Sequence, residues 1–370
     1  MSTTNMSFAI RPTDRCNLNC DYCYARVADP KDMSPETLRL VLQRIADSYP
    51  GHVTISWTGG EPLLMGPDFF QRIAEIQAEL PQVQFTNILQ TNLTLLQDWV
   101  ITFLSAHNWQ VRTSLDLPPA NHDELRIKGN FNATMMRIRR LQEAGVPVNI
   151  NTVITSKNVG SAPEIYWFLN NNRINSFSVS RFILQGNGVQ NAHLAIKEST
   201  RFGRFLIELF DLWMADTSET KIRKITPLNT LMEACEYYMR GKVNPEACFH
   251  CQNQVYAIGP TGDIYPSCNK FFGLPGTCLG NISELELADV TDSPERVDFL
   301  EQVKKVGEKV CIGCQYMPIC RGGCYYVAFA TLPELDKITK RDQFCKGYYL
   351  VFDHIIDYLQ KMRRTEEAIQ

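Results

Sequence analysis

Apolar positions in the first half of the chain switch repeatedly between two periods. Phe8 to Ile10 is a short apolar run, and Ser34-Pro35-Glu36 reads as an N-cap followed by proline at the first helical position. Leu38, Val41, Leu42 and Ile45 then recur at helical spacing. Val53, Ile55 and Trp57 alternate as a strand does, ending at Gly59-Gly60-Glu61-Pro62, and Phe69, Phe70, Ile73, Ile76 and Leu80 form the next helical stripe. The alternation goes on with strands over 83–89, 111–115, 146–154 and 176–183, and helices over 96–106, 133–144 and 163–171. About six βα units predict a parallel sheet with outer helices. Eight would close a barrel; six predict an α/β fold, a partial (β/α)6 TIM-like barrel open on one side.

Polar motifs fall at the C-terminal strand ends, where such folds place their chemistry. Cys16–Cys23 follows the first strand, Gly59-Gly60-Glu61-Pro62 the second, and Gln90-Thr91-Asn92 the third; Ser114-Leu115-Asp116 ends the fourth. Any one alone passes for an ordinary turn. Four in succession point to one site.

Beyond the barrel, Phe202, Phe205, Leu206, Leu209, Phe210 and Trp213 predict an amphipathic core helix. Leu228 to Met239 predicts a second, holding Cys235 as a small buried apolar residue. From Pro245 cysteines cluster, glycines recur and periodicity weakens, as in small domains that lean on metals. Gly347 to Met362 predicts a docking helix, with a fraying end over 363–370. The expected division is a barrel over 1–190, a helical connector over 191–244, a cysteine-rich domain with little regular structure over 245–346, and a C-terminal helix and tail over 347–370.

Composition narrows the class. The 370 residues are 44% apolar and 21% charged, ordinary for a globular chain, and the net charge of −3 gives no basic footprint for nucleic acid. No apolar run reaches the ~18–20 residues of a membrane span, and Met1 to Ser7 lacks a signal-peptide layout, so a cytoplasmic location is expected. Thirteen cysteines in that reducing compartment are better read as ligands than as disulfides.

Cys16, Cys20 and Cys23 are spaced CxxxCxxC, with Tyr22 before the last. Three thiolates can hold three irons of a cubane cluster and leave the fourth open for a ligand. A zinc knuckle or three packed core cysteines are the plain alternatives, but paired CxxC spacing and a fourth ligand are missing. The second half has Cys248-x2-Cys251, then Cys268 after Gly262, then Cys311-x2-Cys314-x5-Cys320-x3-Cys324, and finally Cys345. Eight cysteines suffice for two closed cubane clusters; a zinc ribbon built from Cys248/Cys251 and Cys311/Cys314 is the alternative.

Over roughly residues 8–350 these motifs resemble the radical S-adenosylmethionine (SAM) enzymes that carry a SPASM domain, such as peptide and sulfatase maturases. The resemblance implies an oxidoreductase with three [4Fe-4S] clusters and SAM. Cys16, Cys20 and Cys23 would hold the SAM-reducing cluster, and Gly59, Gly60 and Glu61 match a motif that contacts the SAM amino group. Tyr22 would lie against the adenine, with Ser114, Asn92 and Asp116 on the ribose side. Cys248, Cys251, Cys268 and Cys324 would share one auxiliary cluster, and Cys311, Cys314, Cys320 and Cys345 the other, leaving Cys235 and Cys278 as structural thiols. The family's GX4C spacing carries one extra residue here, with Ser267 where the cysteine usually stands. Leu117 replaces the glycine of the family's SLDGP motif. In sulfatase maturases an aspartate follows the auxiliary cysteine as proposed base; here Asn269 stands there, and an amide cannot take a proton.

The expected reaction is reductive SAM cleavage to a 5′-deoxyadenosyl radical that abstracts hydrogen from a ribosomally made precursor peptide, giving oxidative modification or cross-linking. The first βα unit starts by about residue 8, so leader recognition is expected from a separate protein or a barrel surface. A flavodoxin- or ferredoxin-type donor is expected, and neither nucleic acid nor membrane. The alternatives are a sulfatase maturase forming formylglycine from cysteine or serine, radical oxidation of a small molecule, and a non-enzymatic electron-transfer or zinc protein. Asn151, Arg181, Gln185, Asn269 and Lys270 are the candidate substrate contacts, with Asn269, Lys270 and Arg181 the catalytic candidates among them.

Overall fold

The computed structural model describes residues 6–127, 130–242, 255–324, 326 and 342–369. In chain order the first elements are β1 (Met6–Thr13), α1 (Pro35–Ser48), β2 (Gly51–Gly59), α2 (Pro67–Ala78), β3 (Val83–Thr91), α3 (Asp98–Ala106) and β4 (Gln110–Ser114). Next come α4 (Pro119–Leu125), α5 (Phe131–Glu143), β5 (Val148–Ile154), α6 (Ala162–Asn171), β6 (Ser176–Arg181) and α7 (Asn187–Gln190). The remainder is α8 (Ser199–Ala215), β7 (Lys224–Thr226), α9 (Leu228–Met239), β8 (Val255–Ile258), β9 (Asp263–Pro266), β10 (Gly280–Asn281), α10 (Leu287–Val290), α11 (Pro294–Val310), α12 (Met317–Cys320) and α13 (Cys345–Ile369). Two compact units emerge. The first holds Met1–Asn151, Gln185–Gln190 and Cys251–Glu301; the second holds Thr152–Leu184, Asn191–His250 and Gln302–Gln370.

In the first unit β1 to β4 and the start of β5 pair in parallel, each followed by a helix, which is the partial barrel the alternation predicts. Ser34 caps α1, its hydroxyl accepting from Thr37 N at 3.1 Å, and Pro35 opens the helix. Leu38, Val41, Leu42 and Ile45 are buried against a sheet whose Val53, Ile55 and Trp57 are also buried, and the Trp57 ring stacks on Trp109 at 6.1 Å. On the other side of β1 lies β8, again parallel, with Phe8 opposite Tyr256. β9 and β10 continue antiparallel from it. The cysteine-rich stretch thus carries short strands of its own.

In the second unit β6 and β7 pair in parallel. The predicted stripe on α8 is buried from Phe202 to Trp213, and each fully buried Phe or Leu contributes about 1.5–3 kcal/mol. Two glycines let α8 and α13 cross closely. A Cβ at Gly203 would meet Gly347 O at 2.5 Å, and one at Gly347 would meet Ser199 O at 2.3 Å.

β7, α4 and α11 were not expected. β7 is three residues long, and α4 has only seven and starts behind Pro118. α11 is so rich in Lys and Glu that its stripe is faint. The end expected to fray is instead helical to Ile369. Among the described residues, no helix is long and apolar enough to cross a membrane.

Candidate cofactor site and cysteine pocket

The loop after β1 carries the three early cysteines. Cys23 N donates to Cys20 O at 3.1 Å, closing a turn; Cys20 is buried, Cys23 half-buried and Cys16 exposed. The thiols are near enough to feel one another electrostatically, and burial pushes Cys20 up to about 11. Four other strand ends and loops converge here.

From β2, Gly60 N donates to Thr13 O at 3.0 Å and Glu61 N to Arg15 O at 2.8 Å. A Cβ at Gly60 would lie 1.9 Å from Arg15 O; one at Gly59, where φ is +129°, would lie 2.4 Å from Arg11 Cγ. Backbone approach to the cysteine loop therefore demands both glycines. Glu61 is fully buried, and its carboxylate accepts from Leu63 N at 3.1 Å, Asn92 N at 2.7 Å and the Thr91 hydroxyl at 2.7 Å. Burial raises its pKa against the pull of those donors and of Arg126. From β3, Asn92 Nδ2 donates to Asn17 Oδ1 at 2.9 Å and lies 4.0 Å from Cys16 Sγ.

Past β4, Ser114 pairs with Asn151, and Asp116 is fully buried. The Tyr22 phenol donates to Asp116 and accepts from Arg126 Nη1 at 2.6 Å. Burial works against the Arg126 charge, but Tyr22, Cys20 and Asp116 more than offset it, so it stays a cation. His122 Nδ1 accepts the Asp116 N–H at 3.3 Å, which requires a neutral ring. Burial, helped by Arg126, lowers the His122 pKa to about 4. The segment 185–190 clamps the cysteine loop from another side. Asn187 N donates to Cys23 O at 2.9 Å, and Asn187 Nδ2 reaches Cys20 O at 2.9 Å. Gln185 Oε1 is buried with no hydrogen-bond partner among the described residues.

Ser267, just before Cys268, is buried with φ +75° and donates through its N–H to Val255 O at 2.8 Å. Cys268 is half-buried. Asn269 Nδ2 donates to Thr58 Oγ1 at 3.3 Å and lies against Tyr24, the residue after Cys23; Lys270 follows in the same short turn. Cys235 is buried in α9, its thiol pushed up to about 12, whereas Cys278 is exposed.

In the second unit one pocket is lined by Cys311, Cys314, Cys320 and Cys345, with Asp342 and Tyr348 on its wall. Arg181, the last residue of β6, pairs with Asp342 at 2.7 Å. Cys324 donates its N–H to Asp342 Oδ2 at 3.0 Å. Cys248 and Cys251 lie outside the described residues.

Among the described residues, no group of three or more His, Cys, Asp or Glu side chains is drawn together for a single metal ion. The donor sets are soft thiols, three on one loop and four around one pocket, and they fit iron–sulfur clusters. The buried Gln185 acceptor beside the cysteine loop fits a ligand with an N–H donor. Arg126, His122, Tyr24, Asn187 and Asp342 escaped the sequence reading. His122 and Arg126, four apart in a polar stretch after a barrel strand, were the one legible signal.

Residues 10–164 match the model of the radical SAM superfamily, and residues 242–315 match that of an iron–sulfur cluster-binding domain, SPASM. The chain is 27% identical to a cysteine-type anaerobic sulfatase-maturating enzyme of Clostridium perfringens, covering 94% of this chain and 96% of the relative. It is also 27% identical to a serine-type anaerobic sulfatase-maturating enzyme of Bacteroides thetaiotaomicron, over 94% and 89%. Among solved structures, anSMEcpe with bound AdoMet and the Cp18Cys peptide matches with a TM-score of 0.84, at 24% identity over 98% of this chain and 99% of that one. Streptococcus suis SuiB bound to precursor peptide SuiA matches in fold with a TM-score of 0.67, at 21% identity over 91% and 76%. Full-length similarity thus favours the sulfatase-maturase type over the expected precursor-peptide maturase. With Cys16, Cys20 and Cys23 inside the one match and Cys248 to Cys314 inside the other, the chain carries a radical SAM domain followed by a SPASM domain.

Proposed function

We propose that this protein oxidises a cysteine, in preference to a serine, of a protein or peptide substrate to formylglycine. The observation that carries the reading is the end-to-end similarity to relatives named for sulfatase maturation. Cys16, Cys20 and Cys23 would hold the cluster that binds AdoMet, and Tyr22, Gly59, Gly60, Glu61, Asn92, Ser114 and Asp116 would surround that ligand. The eight later cysteines would hold two auxiliary clusters, making three in all. With AdoMet and one electron from a flavodoxin- or ferredoxin-type donor, this centre supplies a 5′-deoxyadenosyl radical able to take hydrogen from an unactivated carbon. The net change converts the thiol-bearing carbon to an aldehyde: water enters and hydrogen sulfide leaves, one electron and proton would depart as the hydrogen atom taken by the 5′-deoxyadenosyl radical, and the second electron would pass to an auxiliary cluster and the second proton to solvent.

The chain's own residues bear on which side chain is taken. Asn269, beside Tyr24 and near the cysteine loop, cannot accept a proton. A substrate that gives up its proton readily is therefore favoured, and a thiol with a pKa of about 8.5 does so far better than a hydroxyl. Gln185 offers a buried acceptor to an N–H group of the bound ligand or substrate.

The test uses anaerobically reconstituted full-length protein with AdoMet, a reductant and paired peptides carrying cysteine or serine at one position. Aldehyde is trapped with a hydrazide and located by mass spectrometry. Aldehyde on the cysteine peptide and little on the serine peptide is expected. Asn269→Asp should raise serine turnover about 10²-fold, a general base's usual contribution. Release of 5′-deoxyadenosine with no aldehyde on either peptide would overturn the proposal.

A further inference from the structure

We infer that the Arg181–Asp342 ion pair is a charge device that sets the reduction potential of a cluster held by Cys311, Cys314, Cys320 and Cys345. This rests on those thiols holding a cluster and is independent of which substrate the enzyme oxidises. The Asp342 side chain is 2% exposed and that of Arg181 9%. Their 2.7 Å contact is one of several that hold the carboxylate in place. Asp342 Oδ2 also accepts from Cys324 N at 3.0 Å, and Oδ1 from Phe344 N at 2.8 Å; the Asp342 carbonyl accepts from Cys345 N at 2.9 Å. The carboxylate is thus fastened to the backbone at Cys324 and just before Cys345, on the wall of the four-thiol pocket. Gly323 keeps it there. Its φ is +89°, and a Cβ on it would meet Asp342 Cβ at 2.5 Å.

A cluster with four thiolates is an anion, and each electron added makes it more so. Its potential follows the net charge around it. A bare carboxylate on the pocket wall would therefore resist reduction. Arg181 cancels it, with its guanidinium 5.1 Å from the Phe344 ring centroid and 5.5 Å from that of Tyr348, two faces that hold a cation out of water. The plain alternative is a fastener joining the end of β6 to residues 342–345, with no electrical role.

The two roles separate on the sign of a potential. Full-length reconstituted protein is titrated potentiometrically and followed by electron paramagnetic resonance; the relevant couple is the one that Cys320→Ala removes. Asp342→Asn, whose side-chain oxygen still accepts a backbone N–H, should shift that couple upward. Arg181→Met should shift it downward, Arg181→Lys should leave it near wild type, and the double variant should return toward wild type. If Arg181→Met fails to load iron, Asp342→Asn and Arg181→Lys decide the matter alone. Unmoved midpoints at full iron content, or shifts of one sign in all variants, would leave the pair a fastener and overturn the inference. So would a Cys320→Ala protein that loses neither iron nor a couple, while the aldehyde assay would continue to test the substrate reading separately.

Discussion

Three thiols of the first unit lie within eight residues on one loop, whereas the four-thiol pocket of the second draws on Cys311, Cys314, Cys320 and the distant Cys345. The local set is clamped by its neighbours: the backbone of Gly60 and Glu61 on Thr13 and Arg15, and Asn187 on Cys23 through its backbone and on Cys20 through its side chain. It keeps one thiol, Cys16, exposed. The assembled set lines one pocket with four thiols and has a buried ion pair against its wall. Open coordination suits the binding of a ligand; closed coordination suits holding and passing electrons. On the proposed reading, the same chemical group would serve two tasks according to how far apart in sequence it is recruited.

The sharpest way to break this contrast is to remove one thiol from each set. Cys20→Ala and Cys320→Ala should each lower the iron content by about four per chain. Only Cys20→Ala should abolish 5′-deoxyadenosine release in the absence of substrate. Equal loss of that release in both variants would erase the distinction.

Next in size is the cation beside the local set. Arg126 holds Tyr22 and faces Cys20, so Arg126→Gln should cost about 10–100-fold in AdoMet cleavage, as loss of a group supporting metal ligands usually does. An unchanged rate with full iron would remove Arg126 from the site.

A smaller effect follows from His122, whose folded pKa of about 4 lies below the ordinary 6.5. The unfolded chain takes up this proton first, so the stability it confers is whole above pH 6.5 and is lost as pH falls toward 4. The loss approaches about 3 kcal/mol, from the size of the shift. Thermal melts from pH 7.5 to 5 should fall more steeply for wild type than for His122→Gln; parallel curves would mean the ring is not buried neutral. Least affected of all should be Arg39→Ala, which breaks only an exposed pair with Glu79, and its melting temperature should match wild type.

Where a pattern depends on neighbours in sequence, it was legible. The stripes on α1, α2 and α8 and the CxxxCxxC loop all read directly, because helical period and turn spacing are local. Ser34 as a cap was equally plain. Arg126, Asn187 and Asp342 were not, since their partners Tyr22, Cys20 and Arg181 lie far along the chain and only the folded backbone brings them together. Gly59 and Gly60 were legible as a motif, yet the backbone of residues 13–15 that requires them was not. Ser267 was legible as one residue too many before Cys268, whereas its left-handed backbone was not.

The parallel pairing of β1 with β8 has a consequence for synthesis. β1 leaves the ribosome first among the strands, but the residues that cover its second edge, 255–258, come long after the barrel strands β2 to β5. Through that interval the nascent chain presents Ser7 to Ile10 as an unsatisfied ladder, open to pairing with a neighbour on the same messenger. Chains truncated ahead of β8 are therefore expected to associate through that edge. Folding of the first unit is therefore expected to complete only once the cysteine-rich stretch has begun to appear, which couples completion of the sheet to the cysteine-bearing part of the chain.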